Sequence, residues 1–340
     1  MTEPYVAAAV QAEPAWLDLD AGVEKTIALI EEAAKNDARL IGFPEAWIPG
    51  YPHFMWLGPQ AWGMQFVQRY HENSLVVGSK QYKAIAKAAA DNNITVVMGS
   101  SEKDGGSLYL AQHAFSSRGD VLFNRRKLKP THVERALYGE GDGSDLHVMD
   151  VEGIGRLGGL CCWEHLQPLS KYAMYSQNEE VHVASWPSFC LYRGGAYALG
   201  PEVNMAATLM YSVEGSNFTI AATQVTGEAG LELFCDNDDQ RALLNGNGGG
   251  GTSRIYAPDG QIISNLLEEH EEGIVYGTID LSMIPLAKAA ADPAGHYSRP
   301  DATRLILDKR PSRAVEIVGE PSDKGAMSAE QLQDVEELVL

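Results

Sequence analysis

A cysteine at the end of a short apolar run is the residue of this sequence best suited to covalent chemistry. The run Gly158-Gly159-Leu160-Cys161-Cys162 is followed by Trp163-Glu164-His165, which predicts a buried strand that ends at Cys162. In open α/β folds, ligands bind at the carboxyl ends of strands, and a thiol placed there can act as a nucleophile. Cysteine is also among the most buried residue types, so this segment alone leaves a packing role open.

Two other predicted strands end in residues that suit proton transfer and charge stabilisation. Glu45 follows Gly42-Phe43-Pro44, where desolvation would raise its pKa into the range useful for a general base. The alternative for Glu45 is a turn cap. Lys127 and Lys129 follow another strand, and an ammonium there can favour a thiolate or stabilise charge formed during nucleophilic addition. Most lysines are solvated surface charges, and alternation places both lysines on one face, so the pattern does not choose between them.

The segments that carry these residues alternate between strand and helix patterns, which predicts an α/β protein with layered elements. Strands are predicted at 5–11, 39–43, 94–99, 108–116, 121–126, 147–151, 156–162, 181–185, 218–223, 252–257, 261–264 and 273–280. Helices are predicted at 20–36, 81–92, 168–177 and 201–214, and a long aromatic loop is predicted after Glu45.

Three motifs together resemble the catalytic segments of the nitrilase (carbon-nitrogen hydrolase) family. They are Phe43-Pro44-Glu45, Arg126-Lys127-Leu128-Lys129-Pro130-Thr131-His132-Val133-Glu134-Arg135 and Cys162-Trp163-Glu164-His165. The Cys-Trp-Glu-His form resembles true nitrilases rather than the amidase branches. Further matches extend the resemblance from about residue 5 to about residue 308.

The resemblance implies a fold, a set of roles and a reaction. The expected fold is a four-layer α-β-β-α sandwich forming a single catalytic domain at 1–308, with a tail at 309–340. The implied roles are Cys162 as nucleophile, Glu45 as general base, Lys127 as the cation that stabilises the tetrahedral intermediate, and Glu134 as a second carboxylate. A nitrile would be converted through a thioimidate and a thioester to a carboxylic acid and ammonia, with no metal and no cofactor.

Aromatic residues near these motifs are candidates for the wall of a substrate pocket. Tyr51, Trp56, His132 and Trp186 are predicted to hold an apolar nitrile substituent, with ordinary core packing as the alternative for each. Trp163 is expected to bind substrate through its backbone N–H, which would help Lys127 to hold developing negative charge. Cys161 is assigned to packing because adjacent strand residues face opposite sides.

Composition limits the partners and the compartment. The formal net charge of -20 argues against nucleic acid and anionic membranes as partners. The four cysteines form no CxxC pair, and the sequence shows neither a basic leader nor a membrane-length apolar run, so a cytoplasmic location is expected. The resemblance further implies a homo-oligomer built from dimers that pair through the helices at 168–177 and 201–214, with spirals or filaments as larger forms. The charged and mixed composition after about residue 308 indicates a tail, which is expected to contact a partner subunit.

Two other functions stay open on the sequence. An amide-hydrolysing or cyanide-degrading member of the same family would use the same Glu-Lys-Cys set. A catalytically silent binding or scaffold protein is the alternative from another class, although such a protein would be expected to have lost one of Glu45, Lys127 and Cys162.

Overall fold

The structure is a computed structural model that describes residues 3–192, 195–245 and 249–312, together with residues 315 and 318. The strands are β1 (Tyr5–Ala12), β2 (Ala38–Gly42), β3 (Thr95–Asp104), β4 (Ser107–Phe115), β5 (Val121–Arg126), β6 (Met149–Val151), β7 (Gly155–Cys161), β8 (Val181–Trp186), β9 (Phe218–Gln224), β10 (Arg254–Tyr256) and β11 (Gly273–Ile279). The helices are α1 (Leu19–Lys35), α2 (Gln60–Glu72), α3 (Lys80–Asp91), α4 (Pro168–Tyr175), α5 (Pro201–Gly215), α6 (Glu228–Phe234), α7 (Asp238–Asn245) and α8 (Ile284–Ala290).

Hydrogen bonds connect these strands in the order β5-β4-β3-β2-β1-β9-β8-β7-β6. Pairing is parallel from β3 through β2, β1, β9 and β8 to β7, and antiparallel where β4, β5 and β6 extend the two ends. Strand β11 pairs antiparallel with β1, and β10 pairs antiparallel with β9. Parallel neighbours place their carboxyl ends at the same edge, so β2 and β7 can present functional residues on one side.

The two halves of this sheet pack face to face and form the central core. Leu40 and Val97 from one half share a buried cluster with Val183 and Ile220 from the other. A polar contact crosses the same interface, because Gln112 Nε2 donates to Ser185 Oγ at 2.8 Å. A buried amide of this kind needs such a partner.

Helices cover both outer faces of the folded sheet. On one face, Val23 and Ile30 of α1 and Ile85 of α3 pack against Ile41 and Val96. On the other face, the core is formed by β7, α4 and α5, with Leu160, Ala173, Met174, Tyr175 and Tyr211. The apolar spacing along these helices buries one face of each. The structure therefore confirms the predicted four-layer α-β-β-α sandwich.

Several predicted elements differ from those observed. The segment predicted as a long aromatic loop contains α2, and α6, α7 and α8 were not predicted. The predicted strand at 261–264 makes only isolated bridges, from Ile262 to Tyr256 and from Ser264 to Gly277. Among the described residues, no helix is long and apolar enough to cross a membrane. The predicted tail at 309–340 lies outside the described residues except for 309–312, 315 and 318.

Candidate active site

The candidate catalytic residues lie just beyond the ends of three strands. Glu45 follows β2 after Phe43-Pro44, Lys127 follows β5 directly, and Cys162 follows β7 as the first residue of a 3-10 helix, Cys162–Leu166. Glu134 lies in another 3-10 helix, His132–Ala136, which Thr131 caps. The two sheet halves thus bring residues distant in sequence to one edge.

Three non-glycine residues at this edge have a left-handed backbone conformation. The φ angles are 47° at Ala46, 48° at His132 and 48° at Cys162. A non-glycine residue in the left-handed region costs about 1–2 kcal/mol. Such strain persists only where the surrounding structure enforces it, and it is common at functional sites.

The backbone of Glu45 is fixed by close packing against β3. A Cβ atom at Gly99 would lie 2.2 Å from the carbonyl oxygen of Pro44, so only glycine allows this approach. Gln224 Nε2 donates to the Glu45 carbonyl at 2.6 Å, and the Glu45 N–H donates to the carbonyl of Trp186 at 3.2 Å. Hydrogen bonds therefore fix the Glu45 backbone at both its N–H and its carbonyl, and this positions the carboxylate.

Lys127 joins two carboxylates inside the site. Its Nζ donates to Glu45 Oε1 and to Glu134 Oε2, each at 2.8 Å. All three residues are buried, with exposures of 0% for Glu45, 1% for Lys127 and 1% for Glu134. Burial opposes the charged form of Lys127, but the carboxylates of Glu134 and Glu45 outweigh it and raise the lysine pKa well above its usual value. Lys127 therefore stays an ammonium.

Glu45 and Glu134 differ in how their oxygens are bonded. Glu134 accepts from Lys127, from the backbone N–H of Thr131 at 2.6 Å and from the Tyr51 hydroxyl at 2.8 Å. Among the described residues, Glu45 Oε2 is buried with no hydrogen-bond partner. Burial raises the pKa of Glu45 to about 8, against the opposing effect of the Lys127 ammonium. Glu45 therefore has both a free lone pair and the basicity to take a proton.

Cys162 meets both carboxylates at this point. One ligand atom from each of Glu45, Glu134 and Cys162 lies within 4.8 Å of the others. Burial and the Glu45 charge raise the pKa of the Cys162 thiol well above its usual value, although Lys127 and the backbone N–H of Trp163 act in the opposite direction. The thiol is thus neutral at rest, and attack requires a base. This differs from the simple expectation that a nearby lysine favours the thiolate.

The three donor atoms also resemble a small metal-binding group. Lys127 Nζ already lies 2.8 Å from both carboxylates and supplies positive charge there. An ammonium in this position occupies the place where a cation would be held.

The structure distinguishes the members of two residue pairs that the pattern treats as similar. Lys129 is 58% exposed and pairs with Glu140 at the surface, whereas Lys127 is buried in the site. Cys161 faces Arg125, whose Nη1 lies 3.8 Å from its Sγ. Burial also raises the pKa of the Cys161 thiol.

Arg125 and Glu164 contribute contacts that the sequence interpretation did not assign. Glu164 accepts from Arg125 Nη2 at 2.7 Å, from the backbone N–H of Leu128 at 2.9 Å and from that of Cys161 at 2.8 Å. Burial disfavours the carboxylate, yet Arg125 and these N–H groups hold the pKa of Glu164 below its usual range. Glu164 thereby ties the strand end that bears the nucleophile candidate to the one that bears Lys127.

The glycines before the cysteines make room for buried polar side chains of neighbouring elements. A Cβ at Gly158 would lie 2.1 Å from Glu179 Oε1, and one at Gly159 would lie 2.9 Å from Gln112 Oε1. A side chain at either position would displace that buried polar group.

An aromatic cavity of about 500 Å³ is lined by residues next to the candidate catalytic residues, with Val133 preceding Glu134 and Trp163 following Cys162. Its lining includes Met55, Trp56, His132, Trp163, Tyr192 and Leu199. The Trp56 and His132 rings stack with centroids 5.1 Å apart, and the Tyr192 hydroxyl donates to the Trp56 carbonyl at 2.8 Å. Tyr192 was not predicted as a pocket residue, although its aromatic type was a usable signal.

The other two predicted pocket residues lie elsewhere. Tyr51 is 3% exposed and connects Trp56 to Glu134, because its hydroxyl accepts from Trp56 Nε1 at 3.3 Å and donates to the carboxylate. Burial raises the pKa of Tyr51 well above its usual value, so the hydroxyl stays protonated. Trp186 is fully buried and stacks on His165 with centroids 5.1 Å apart.

Together, these groups can perform covalent addition to an unsaturated carbon. Cys162 is 7% exposed whereas Glu45 and Lys127 are at most 1% exposed, so a reactant reaches the thiol first. Glu45 Oε2 can accept the thiol proton, and Lys127 with the Trp163 N–H can stabilise the resulting negative charge.

Comparison with known proteins agrees with this chemistry. The family model described as carbon-nitrogen hydrolase matches residues 6–289. A protein named nitrilase from Pseudomonas syringae pv. syringae (strain B728a) is 53% identical over 93% of this chain and 93% of its own length. An aliphatic nitrilase from Rhodococcus rhodochrous is 52% identical over 92% of this chain and 81% of its own. A protein named nitrilase, arylacetone-specific, from Alcaligenes faecalis is 50% identical over 89% of this chain and 84% of its own.

Proposed function

The chain belongs to the nitrilase branch of the carbon-nitrogen hydrolase family, and from this premise we propose that it hydrolyses organic nitriles to carboxylic acids and ammonia. Cys162 is the proposed nucleophile, Glu45 the general base, Lys127 the stabilising cation and Glu134 the carboxylate that fixes Lys127. The observation that carries the proposal is the Glu45 carboxylate. Its buried Oε2 has no hydrogen-bond partner among the described residues, and one ligand atom from each of Glu45, Glu134 and Cys162 lies within 4.8 Å of the others.

The first half of the reaction forms a covalent thioimidate. The Cys162 sulfur bonds to the nitrile carbon, its proton passes to Glu45 and then to the nitrile nitrogen, and one C–N π bond is lost. Lys127 and the Trp163 N–H stabilise the negative charge that develops on nitrogen. The raised thiol pKa requires this proton transfer to accompany the attack.

The second half consumes two waters. The first water adds to the thioimidate carbon, and expulsion of ammonia leaves a thioester on Cys162. The second water attacks the thioester, releases the carboxylic acid and restores the thiol. Glu45 takes a proton from each attacking water and returns it to the leaving group, so the cycle ends with the residues in their starting states.

The cavity supports an aromatic or arylalkyl substituent on the nitrile. Trp56, His132 and Tyr192 offer aromatic faces, and a cavity of about 500 Å³ accommodates a substituted ring. The relatives named aliphatic and arylacetone-specific are similarly close, at 52% and 50% identity, so they do not choose between these classes.

Product analysis by mass spectrometry, combined with ammonia measurement, tests the proposal. The substrates are an aliphatic, an aromatic and an arylacetic nitrile, hydrogen cyanide, and the amides that correspond to the organic nitriles. Acid and ammonia from organic nitriles but not from the amides is the expected result. Turnover of only amides or only cyanide would move the protein to another activity of the family, and no turnover would favour a silent binding protein.

Assembly and compartment are further parts of the proposal. A homo-oligomer built through α4 and α5 is supported by exposed apolar side chains on these helices, with Leu169 68%, Met210 43% and Val213 36% exposed. Light scattering after size exclusion should give at least a dimer, and Leu169→Glu with Met210→Glu should lower that mass. A cytoplasmic location is supported by the free thiols of Cys161, Cys162 and Cys235. Thiol labelling and localisation of a tagged chain would test this location.

A further inference from the structure

A continuous chain of buried side chains runs from α5 to the backbone of Cys162. Tyr211 donates to Glu179 Oε2 at 2.6 Å, and Glu179 Oε1 lies 2.7 Å from His182 Nδ1. His182 Nε2 lies 2.9 Å from His165 Nε2, and His165 Nδ1 lies 2.7 Å from the Cys162 carbonyl oxygen. Each of the four side chains is at most 1% exposed. The chemistry proposed above does not use them.

The fold makes specific room for this chain. Gly158 pairs with His182 across β7 and β8, and its missing side chain leaves the space that the Glu179 carboxyl occupies. The His182 ring lies 3.9 Å from the Tyr211 ring, centroid to centroid. Four buried ionisable groups in direct contact carry a desolvation cost that a purely apolar core would avoid.

With both histidines neutral, as burial favours, the hydrogen bonds fix the position of every proton. A carbonyl oxygen only accepts, so His165 Nδ1 must donate to Cys162. A neutral His165 then accepts at Nε2, which requires His182 Nε2 to donate. A neutral His182 accepts at Nδ1, which requires Glu179 to be a protonated carboxylic acid. Asn217 Nδ2 and the Tyr211 hydroxyl both donate to the other oxygen, Glu179 Oε2, which leaves Oε1 to carry the proton.

We propose that Glu179, His182 and His165 form a proton-ordered relay that positions the nucleophile by holding the carbonyl of Cys162. Cys162 has a φ of 48°, a conformation that a non-glycine residue keeps only under external constraint. The three are positioning residues, and the inference rests on the proposed role of Cys162. If Glu179 loses its proton, His182 must donate from Nδ1 to the carboxylate and accept at Nε2. His165 must then donate from Nε2, which leaves its Nδ1 without a proton and facing the carbonyl oxygen of Cys162, so this hydrogen bond is lost.

The surroundings of the relay favour its protonated form. Burial raises the pKa of Glu179 to about 8, opposed by the Tyr211 hydrogen bond. Burial lowers the pKa of His182 and of His165 well below the usual value. The charged and titratable groups that face the relay are Arg125 and Glu164 toward His182, Glu164 and Lys171 toward His165, and Tyr175 toward Tyr211. Arg125 and Glu164 pair with each other at 2.7 Å.

The protonation state of Glu179 determines how the relay responds to pH. Glu179 is protonated at neutral pH and ionises as the pH rises through about 8. The relay is therefore intact on the acid side of that value and breaks on the alkaline side. Activity should fall along this alkaline limb.

The test compares Glu179→Gln with Glu179→Ala in the full chain, using the best nitrile substrate from about pH 6 to about pH 10. A glutamine amide donates to His182 without being able to ionise, so E179Q should keep most of the neutral-pH kcat/KM and lose the relay's alkaline limb. E179A should lower kcat/KM by about 10- to 100-fold, because misplacement of a reacting group costs rate on that scale. The rate of Cys162 alkylation by iodoacetamide should likewise be close to that of the wild type in E179Q and lower in E179A.

Controls separate positioning from general structure. Glu180→Gln removes the adjacent carboxylate, which accepts from the Arg156 N–H at 2.9 Å outside the relay, and should change neither rate nor pH profile. If E179A does not fold, Tyr211→Phe replaces it and should move the alkaline limb to higher pH. The relay proposal would be overturned if E179Q folds but has a kcat/KM as low as that of E179A. It would also be overturned if the alkaline limb is unchanged in both E179Q and Y211F. Turnover of nitriles by the wild type, measured alongside, distinguishes this failure from failure of the proposed function.

Discussion

Arg125 and Glu164 form a buried ion pair directly behind the candidate nucleophile. The Arg125 Nη2 to Glu164 Oε1 distance is 2.7 Å, with side-chain exposures of 1% and 3%. Glu164 also accepts from the backbone of Cys161 and of Leu128. The pair thus holds together the strand ends that carry Cys162 and Lys127. It therefore affects activity by fixing the position of Cys162 relative to Lys127.

Removal of one partner of this pair should destabilise the fold strongly. Glu164→Gln leaves Arg125 buried without its counter-charge, which should lower the free energy of unfolding by about 3–5 kcal/mol. Urea unfolding followed by circular dichroism measures this change. The matched control is Glu152→Gln, which breaks the Arg118 to Glu152 pair, 68% and 84% exposed, and should change stability by less than about 1 kcal/mol. Equal effects of the two substitutions would contradict the role assigned to the buried pair.

The two adjacent cysteines should respond oppositely to substitution by alanine. Cys162→Ala removes the proposed nucleophile and should reduce nitrile turnover to background while the circular dichroism spectrum is unchanged. Cys161→Ala should keep substantial activity, because the Cys161 sulfur contacts Arg125, whereas Cys162 is the cysteine grouped with Glu45 and Glu134. Ammonia release measures both variants. A folded but inactive Cys161→Ala enzyme, with an active Cys162→Ala enzyme, would show that the nucleophile is assigned to the wrong residue.

The general base should produce an acid limb in the pH profile. Glu45 must be ionised to take the thiol proton, and burial raises its pKa to about 8. The value of kcat/KM should therefore decline toward acid pH as Glu45 becomes protonated. Together with the alkaline fall expected from Glu179, this gives a bell-shaped profile with its maximum near pH 8. Glu45→Gln should lose turnover by about 10²- to 10⁴-fold, the range for general acid-base catalysis. An unchanged acid limb in a residually active Glu45→Gln enzyme would assign that limb to another group.

Much of the architecture could be predicted because its signals are local. The apolar runs of β1, β7, β8 and β9 and the spacing of α1 and α3 carry their own periodicity, and the observed bounds differ from the predicted ones by a few residues at most. Helix α2 was missed because aromatic residues occur around it and Pro59 precedes it without a side-chain cap. The segment at 261–264 has the residue pattern of a strand, but it forms only single bridges to its neighbours and so does not become one.

The site could be predicted only in part, for a physical reason. Strand-end position indicated Glu45 and Cys162, but the choice of Lys127 over Lys129 came from resemblance, since alternation places both on one face. The contact of Arg125 with Glu164 joins segments 39 residues apart and depends on how the two sheet halves pack. The space for the Glu179 carboxyl depends on the pairing of Gly158 with His182 across β7 and β8. The net pKa of Cys162 also depends on burial, which the sequence does not measure.

The aromatic wall should determine preference among nitriles. Trp56 stacks on His132 and its indole N–H bonds Tyr51, which donates to Glu134, so Trp56→Ala removes a ring face and one support of the catalytic set. An aromatic contact and its buried area are worth about 1–3 kcal/mol, so kcat/KM for an arylacetic nitrile should fall by about 10- to 100-fold. A short aliphatic nitrile, which makes little use of the wall, should lose much less.

A half-buried tryptophan outside the cavity lining provides the control for this substitution. Trp62 packs on Phe66 and its indole N–H donates to Asp236 at 2.9 Å, so Trp62→Ala should leave the ratio of the two kcat/KM values unchanged. Trp56→Phe keeps an aromatic ring but lacks the indole N–H, so it separates the ring contact from the hydrogen bond to Tyr51. It should keep the preference for the arylacetic nitrile, whereas any loss caused by the missing hydrogen bond should affect both substrates. If Trp56→Ala reduces both substrates equally, Trp56 acts only through Tyr51 and Glu134, and the cavity does not select the substituent.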